Sequence, residues 1–146
     1  LEGDSREAGT FLACLAKEVE LNHRPAPPPC ILIAGGETTT RIDGDAGLGG
    51  PSQELALGFA LEVAGKSGLC IAAIDTDGTD GPTEIAGGIA DGTTTERARL
   101  VGLNVYERLR AHDSSTVLCA VGDEVVTGNT GTNLCDLNVV YVSGQL

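Results

Sequence analysis

Methionine and tryptophan are both absent from this 146-residue sequence, and the only aromatic side chains are two Tyr and two Phe. So few aromatic rings cannot form the stacking platforms on which single-stranded nucleic acids bind. Only nine basic residues oppose 21 acidic ones, which gives a formal net charge of −12. A surface this acidic repels phosphate backbones and anionic lipid, so neither nucleic acid nor a membrane is expected as a partner.

Long apolar runs are also missing from the chain. None approaches the roughly 20 residues of a membrane-spanning helix, and the sequence does not open with the pattern of a secretory signal. The length suits one domain, which could bury roughly 70% of its unfolded surface. Because the chain begins with Leu1 rather than with Met, we expect it to be a fragment of a longer protein.

The five cysteines are odd in number and form no C-x-x-C pair. Cys70 and Cys119 lie in apolar runs, where we expect buried thiols. No disulfide framework is indicated, which favours a reducing, cytoplasmic compartment. His23 and His112 have no Cys or second His at zinc-ligand spacing, so we expect both on the surface and no zinc site.

Helical and strand patterns alternate along the chain. The apolar stripe of Phe11, Leu12, Leu15 and Val19 predicts a first helix, and the prolines of residues 22–29 predict a connector. We therefore divide the chain into a leading helix and proline-rich connector, residues 1–29, and an α/β core, residues 30–146. Further strands are predicted over 30–34, 38–42, 69–74, 123–126 and 137–142, and further helices over 52–64, 94–101 and 105–111.

The expected fold is a single-domain α/β sheet, parallel or mixed, flanked by helices and carrying Gly-rich ligand loops. The continuous apolar run over residues 69–74 is typical of an interior parallel strand. Three polar loops follow strands or precede helices, which is where α/β proteins place their ligands.

The first polar loop, residues 44–50, leads into a helix that begins at Pro51. Its glycines permit backbone N–H groups to converge, and a helix N-terminus favours an anion such as a phosphate or carboxylate. The loop is not a P-loop, because no Gly-Lys-Ser/Thr follows. It is not a dinucleotide fingerprint, because Ser52 stands where the last glycine is required. A flexible surface turn is the alternative.

The second polar loop contains Asp75, Asp77 and Asp80 after an apolar strand. Alternate residues at a strand end can aim two carboxylates into one crevice, where they suit Mg²⁺ or a hydroxyl proton. The segment also resembles the nucleophile motif of haloacid-dehalogenase-type phosphatases. That interpretation is disfavoured because both lysines precede the motif. A solvated acidic turn is the other alternative.

The third polar loop, residues 127–133 with Asp136, is rich in Thr, Asn and Gly. Its side chains could satisfy their own backbone or orient the hydroxyl and phosphate groups of a ligand. Spacing alone leaves both interpretations open.

Four motifs in one order carry a family resemblance. They are Gly35-Gly36-Glu37-Thr38-Thr39, residues 47–57 (GLGGPSQELAL), residues 76–87 (TDGTDGPTEIAG) and residues 127–137 (TGNTGTNLCDL). This series resembles the C-terminal MOFRL domain of class II glycerate kinases, many of which are named hydroxypyruvate reductases. The resemblance covers nearly the whole chain.

The resemblance implies a two-domain parent enzyme that uses ATP and Mg²⁺ to phosphorylate the 2-hydroxyl of glycerate. It also implies that an N-terminal catalytic domain, absent from this chain, supplies about half of the cleft between the domains. This fragment alone should then be inactive. A cytoplasmic location is implied as well, and a homodimer is left open.

The resemblance also assigns roles to residues of this chain. Asp77 and Asp80 are the predicted catalytic and metal-ligating residues, which would orient the metal or the substrate hydroxyl. The glycines of the first loop would bind phosphate or the glycerate carboxylate through N–H groups. Substrate and phosphate binding are predicted for Glu37, Gly47, Gly49, Gly50, Gln53, Thr130 and Asn133.

One departure from the family pattern concerns Pro51 and Ser52, which stand where the family usually has Arg-Asn. An Arg at this place could hold a carboxylate through two hydrogen bonds, which Pro cannot do. The sequence therefore leaves the identity of the hydroxy acid open.

Two other function classes compete with the kinase. An NAD(P)-dependent hydroxypyruvate reductase is suggested by the family's alternative name, but there is no dinucleotide fingerprint and no Lys or His beside the acidic loop in sequence. A non-catalytic module that binds a phosphoryl ligand, or only packs on its parent, is the third interpretation.

Overall fold

The computed structural model describes residues 1–144. Within that range the chain forms five helices and five strands. In chain order they are α1 Ser5–Asn22, β1 Cys30–Gly36, α2 Pro51–Glu62, β2 Leu69–Asp75, β3 Gly87–Asp91, α3 Thr94–Leu100, α4 Val105–Arg110, α5 Ser114–Val121, β4 Glu124–Val125 and β5 Asp136–Val142.

The strands form one sheet in the order β1-β5-β2-β3-β4, and every neighbouring pair is antiparallel. The α/β class is confirmed, but the predicted parallel or mixed sheet is wrong. The physical reason is the place of β5. Strands β1 and β2 run in the same direction around α2, as a β-α-β order predicts, but β5 inserts between them and pairs antiparallel with both.

Helix α2 is the centre of the packing. It is apolar on nearly all sides and buried, so it contacts the sheet and α1 on one flank and α3, α4 and α5 on the other. Leu55 and Phe59 belong to the larger core with α1 and the sheet, whereas Leu57 packs with the shorter helices. Gly9 permits close approach of α1, because a Cβ there would lie 2.1 Å from the Leu55 carbonyl oxygen.

Helix α1 begins as expected, because the Asp4 carboxylate accepts a hydrogen bond from the Glu7 N–H at 3.1 Å. Leu12 and Val19 from the predicted stripe are buried, whereas Phe11 is exposed. Helices α1 and α2 cover one face of the sheet. The other face presents exposed apolar side chains of β1, β3 and β5, namely Ile31, Ile33, Ile89 and Tyr141.

Several local predictions need correction. Residues 38–42 form no strand, and only Thr39 makes an isolated bridge, to Asp4. Strand β3 and helix α5 were not predicted. Cys119 is exposed and Cys70 is half-buried, so neither is the enclosed core thiol that was expected. In residues 1–144 we find no helix with the length and apolar character needed to cross a membrane.

Candidate functional site

The N-terminus of α2 is capped by a carboxylate from a distant loop. Gly50 precedes Pro51 and offers no side chain of its own. Asp80 fills this role, because its two carboxylate oxygens accept the N–H groups of Ser52 at 3.1 Å and Gln53 at 2.9 Å. The positive end of the helix is therefore already neutralised from within the chain.

Asp80 is enclosed, with only 1% of its surface exposed. Burial raises the pKa of its carboxyl to about 6, against the lowering effect of the N–H groups of Gln53 and Ser52. Because this carboxylate is enclosed and both of its oxygens accept backbone N–H groups, it is not exposed to a metal ion or a substrate hydroxyl in this structure. The geometry thus makes Asp80 a positioning group for α2 and its own loop.

Gln53 is also completely buried. Its amide nitrogen donates to the Asp80 carbonyl oxygen at 3.4 Å and to the Thr83 hydroxyl at 3.1 Å. Its amide oxygen accepts the Ser115 hydroxyl at 2.6 Å. This side chain therefore connects α2 to the acidic loop and to the start of α5, and it faces no solvent.

Asp77 lies half-buried near the surface of the same acidic loop. One carboxylate oxygen accepts the N–H and the hydroxyl of Thr79, at 2.8 and 2.9 Å. The other lies 3.5 Å from the side-chain nitrogen of Asn133. The Thr130 N–H donates to the Asp77 carbonyl oxygen at 3.1 Å. The structure thus brings Asp77, Thr130 and Asn133 together.

These residues lie at an acidic edge, which we define as Glu37, Asp75, Asp77 and Asp136. Asp75 and Asp136 are paired across β2 and β5. Burial raises the pKa of Asp75, and the nearby negative charges of Asp77, Asp136 and Glu37 add to that effect. The exposed Glu37 lies 3.8 Å from the Cys135 thiol.

Asp77 and Asp80, although three residues apart, have separate hydrogen-bond partners. In the part of the chain that the structure describes, no three His, Cys, Asp or Glu side chains converge as a ready-made metal site. Side-chain carboxylates of the described residues alone therefore do not form a complete cation site at the acidic edge.

The first polar loop is fixed in place. The Gly47 N–H donates to the Ala111 carbonyl oxygen at 2.8 Å, and the Leu48 N–H donates to the Asp113 carboxylate at 3.3 Å. The Ser115 N–H donates to the Leu48 carbonyl oxygen at 3.0 Å. The loop is thereby held against the α4–α5 junction, which differs from a flexible surface turn.

A cavity of about 240 Å³ opens beside this loop. One wall carries Glu54 and His112, whose Oε1 and Nδ1 atoms lie 2.9 Å apart. Burial raises the pKa of Glu54 although His112 opposes this effect. The lining residues are Thr40, Ile42, Ala46, Gly47, Gly49, Gly50, Pro51, Glu54, Gly81, Pro82 and His112.

Sequence reasoning missed the Glu54–His112 pair and expected His112 to be a simple surface residue. The two side chains are 58 residues apart, so no local spacing could reveal them. The acidic loop links the two parts of the site, because Asp77 lies at the acidic edge and Gly81 and Pro82 line the cavity.

This combination of an antiparallel α/β sheet and three polar loops is shared with solved kinase structures. The crystal structure of a glycerate kinase from Thermotoga maritima matches with a TM-score of 0.94 and 43% identity, over 97% of this chain and 34% of that chain. A glycerate 2-kinase from Pyrococcus horikoshii is 43% identical over 145 residues, which are 99% of this chain and 33% of the relative.

A protein from Agrobacterium vitis named putative hydroxypyruvate reductase is 36% identical over 143 residues, which are 97% of this chain and 33% of that relative. The chain therefore spans about a third of the length of these curated relatives. The model of the MOFRL family matches residues 30–136. The chain belongs to the MOFRL family, which confirms the resemblance that the four motifs indicated.

Proposed function

We propose that this chain is the C-terminal domain of a glycerate-2-kinase-like enzyme, which transfers a phosphoryl group from ATP to glycerate and forms 2-phosphoglycerate. The observation that carries the proposal is the match to the Thermotoga maritima glycerate kinase, which extends over 97% of the chain at 43% identity. A match over 97% of the chain is long enough to span all four motifs.

The proposal includes a domain organisation. It assigns residues 1–29 to a leading helix and connector and residues 30–146 to the α/β core of this domain, and it assigns the other side of the cleft to an N-terminal domain of the parent chain. The acidic edge and the cavity open at loops rather than in the core, which is where a second domain can reach them. The cytoplasmic location expected from the cysteines stays a prediction.

Catalysis in phosphoryl transfer consists mostly of positioning and charge neutralisation. In this proposal Asp77 orients the metal or the substrate hydroxyl, since its carboxylate lies at the surface of the acidic loop. Thr130 and Asn133 hold the Asp77 segment by hydrogen bonds. Asp80 and Gln53 would support catalysis indirectly, because their buried contacts fix the same loop on α2.

ATP and Mg²⁺ are the proposed cofactors. Mg²⁺ is commonly bound by one or two carboxylates together with substrate phosphates and water, rather than by an all-protein cage. Asp77 at the acidic edge fits that pattern, with the nucleotide and the other domain supplying the remaining ligands. When bound, the metal would neutralise charge on the transferred phosphoryl group.

The reductase is the second candidate, and the name of the Agrobacterium vitis relative favours it. The structure does place a histidine beside the acidic loop, because His112 shares its cavity with Gly81 and Pro82. The glycine pattern of a dinucleotide-binding turn is still missing around Ser52. The kinase therefore has the stronger support.

Asp77→Asn in the full-length enzyme that carries this sequence tests the proposal. We expect kcat for ATP-dependent phosphorylation of D-glycerate to fall about 100-fold, because the neutral amide binds a cation more weakly than a carboxylate and does not serve as a base. The matched control is Asp43→Asn, whose carboxylate is 78% exposed and paired only with Arg41. An unchanged kcat in the Asp77 variant would favour the non-catalytic module, and NADH oxidation with hydroxypyruvate would favour the reductase.

A further inference from the structure

His112 occupies an unusual place in the cavity beside the Gly47–Gly50 loop. It lies between α4 and α5 with φ of 50°, a left-handed conformation that few non-Gly residues adopt. Its side chain is 24% exposed and contacts the Glu54 side chain, which is 7% exposed. A residue in a sparsely populated conformation, lining a cavity and bonded to a buried acid, points to a functional constraint.

The contact with Glu54 occupies one of the two ring nitrogens of His112. Nδ1 of His112 and Oε1 of Glu54 share a hydrogen bond across 2.9 Å. Nε2, the other ring nitrogen, has no hydrogen-bond partner among the described residues, and His112 lines the cavity. Pairing one imidazole nitrogen with a carboxylate is a common means of fixing the orientation of a functional histidine.

The cavity presents further hydrogen-bonding groups without partners. Gly49 and Gly50 line it, and within residues 1–144 their N–H groups meet no acceptor. Thr40 also lines it, and the buried hydroxyl of Thr40 has no hydrogen-bond partner among the described residues. Unpaired buried polar groups are costly, so a ligand rich in acceptor oxygens would complete this site.

Glu54 and His112 are the two titratable side chains among the described residues that line the cavity. Among the lining residues in the described range, His112 is the one side chain that can become positively charged. Besides burial, the negative charge of Asp4 raises the pKa of Glu54 and the positive charge of Arg6 lowers it. Asp113, next to His112, is paired with Arg108 at 2.7 Å.

We infer that His112, oriented by Glu54, binds an anionic oxygen group of the ligand in this cavity through Nε2–H, together with the N–H groups of Gly49 and Gly50. The group is a carboxylate or a phosphoryl oxygen. This inference rests on the proposed kinase function for the identity of the ligand, and it makes Glu54 a positioning residue.

Nuclear magnetic resonance of the 146-residue chain with ¹³C-labelled histidine gives a direct test, because the chain has only two His. Inorganic phosphate, D-glycerate and the uncharged glycerol are added separately. We expect the His112 ring signal to shift saturably with an anion and not with glycerol, while the exposed His23 is unaffected. Phosphate alone would identify a phosphoryl site, and D-glycerate alone a carboxylate site. Equal shifts of both histidines, or none with either anion, would overturn the inference.

His112→Asn is the informative variant, because Asn tolerates the left-handed backbone and the imidazole alone is removed. Its matched control is His23→Asn, which changes the other left-handed histidine, with φ of 58°, at the exposed end of α1. We expect His112→Asn to raise KM for the anionic substrate about tenfold or more in the full-length enzyme, with a smaller effect on kcat. His23→Asn should leave both values unchanged.

Glu54→Gln should raise the same KM by a smaller factor, because the ring remains but is no longer held by a carboxylate. An unchanged KM in His112→Asn would overturn the inference while the kinase proposal stands. Conversely, anion-dependent shifts of His112 in an enzyme that does not phosphorylate glycerate would overturn the proposed function and leave the anion site in place.

Discussion

Two regions of the site each combine an Asp with a side-chain amide, but the two regions differ in burial. The interior region has Asp80 and Gln53 under the N-terminus of α2, both buried and fully engaged by neighbouring chain segments. The acidic edge has Asp77 and Asn133, which lie near the surface and bond mainly within their own loops. An Asp and an amide therefore support the fold in one region and remain accessible in the other.

The difference teaches that position in the fold, rather than the sequence motif, separates buried structural groups from accessible ones. Asp77 and Asp80 belong to one Asp-Gly-Thr-Asp-Gly segment and share its turn chemistry. Only Asp80 comes under a helix N-terminus, where backbone N–H groups need acceptors. Disrupting either region should therefore separate stability from activity.

The largest effect on stability is expected for Gln53→Ala. The substitution leaves a cavity and removes the partners of Ser115, Thr83 and the Asp80 carbonyl oxygen, which should lower the free energy of unfolding by about 4 kcal/mol. Urea unfolding followed by circular dichroism measures this loss. The matched change at the acidic edge, Asn133→Ala, should cost less than about 0.5 kcal/mol, and equal losses would contradict the contrast between the regions.

A smaller effect is the pH dependence of the free energy of unfolding, and it depends on Asp80. Because burial raises its folded-state pKa to about 6 from an ordinary 3.8, the folded protein binds this proton more tightly than the unfolded chain. The stabilisation is fully present below pH 4 and is lost as the pH rises to about 6. The free energy of unfolding should decrease by roughly 3 kcal/mol across that window.

Asp80→Asn is the comparison that isolates this effect, since the amide does not titrate. Glu54 and Asp75 also have raised pKa values. Their effects on the free energy of unfolding are present in both wild type and variant, so they cancel when the two proteins are compared. The difference between wild type and variant should therefore change between pH 4 and pH 6 and stay constant above pH 7. A difference that is independent of pH would show that burial does not control this carboxyl.

The smallest effect on stability is expected for Asp77→Asn. The amide oxygen can still accept the Thr79 N–H, so the free energy of unfolding should change by less than about 0.5 kcal/mol. The same variant is expected to lose most of its activity. Thermal unfolding and the kinase assay on one preparation test both halves of the prediction, and a large loss of stability would assign Asp77 to the structural region.

The sequence was sufficient for the elements with regular patterns. Helix α1 and strand β2 form where the apolar stripe and the apolar run predicted them, although Phe11 is exposed and β2 is antiparallel to both of its neighbours. Strand β3 was missed because it contains Gly87 and Gly88, which look like a loop. A Cβ at Gly88 would lie 2.8 Å from the Leu118 side chain, so the close packing of α5 excludes the residues that normally signal a strand.

The sheet order and the site contacts could not be obtained from spacing. The place of β5 between β1 and β2 depends on pairing across more than 60 residues. The cap on α2 joins Asp80 to a helix that begins 29 positions earlier in the chain. The sequence predicted that the polar loops follow strands or precede helices, and the first loop does precede α2. Which carboxylate would be buried depended on tertiary packing.

The insertion of β5 between β1 and β2 has a consequence for folding. Strand β1 has β5 as its only neighbour in the sheet, and β5 is the last strand in chain order within residues 1–144. During synthesis β1 therefore has no strand to pair with, and β2 lacks one of its two neighbours, until residues 136–142 have been made. Such late, long-range pairing is slow and exposes unpaired strand edges in the meantime. We expect the sheet to form only after the ribosome has released these residues, so the rate of folding depends on the final strand.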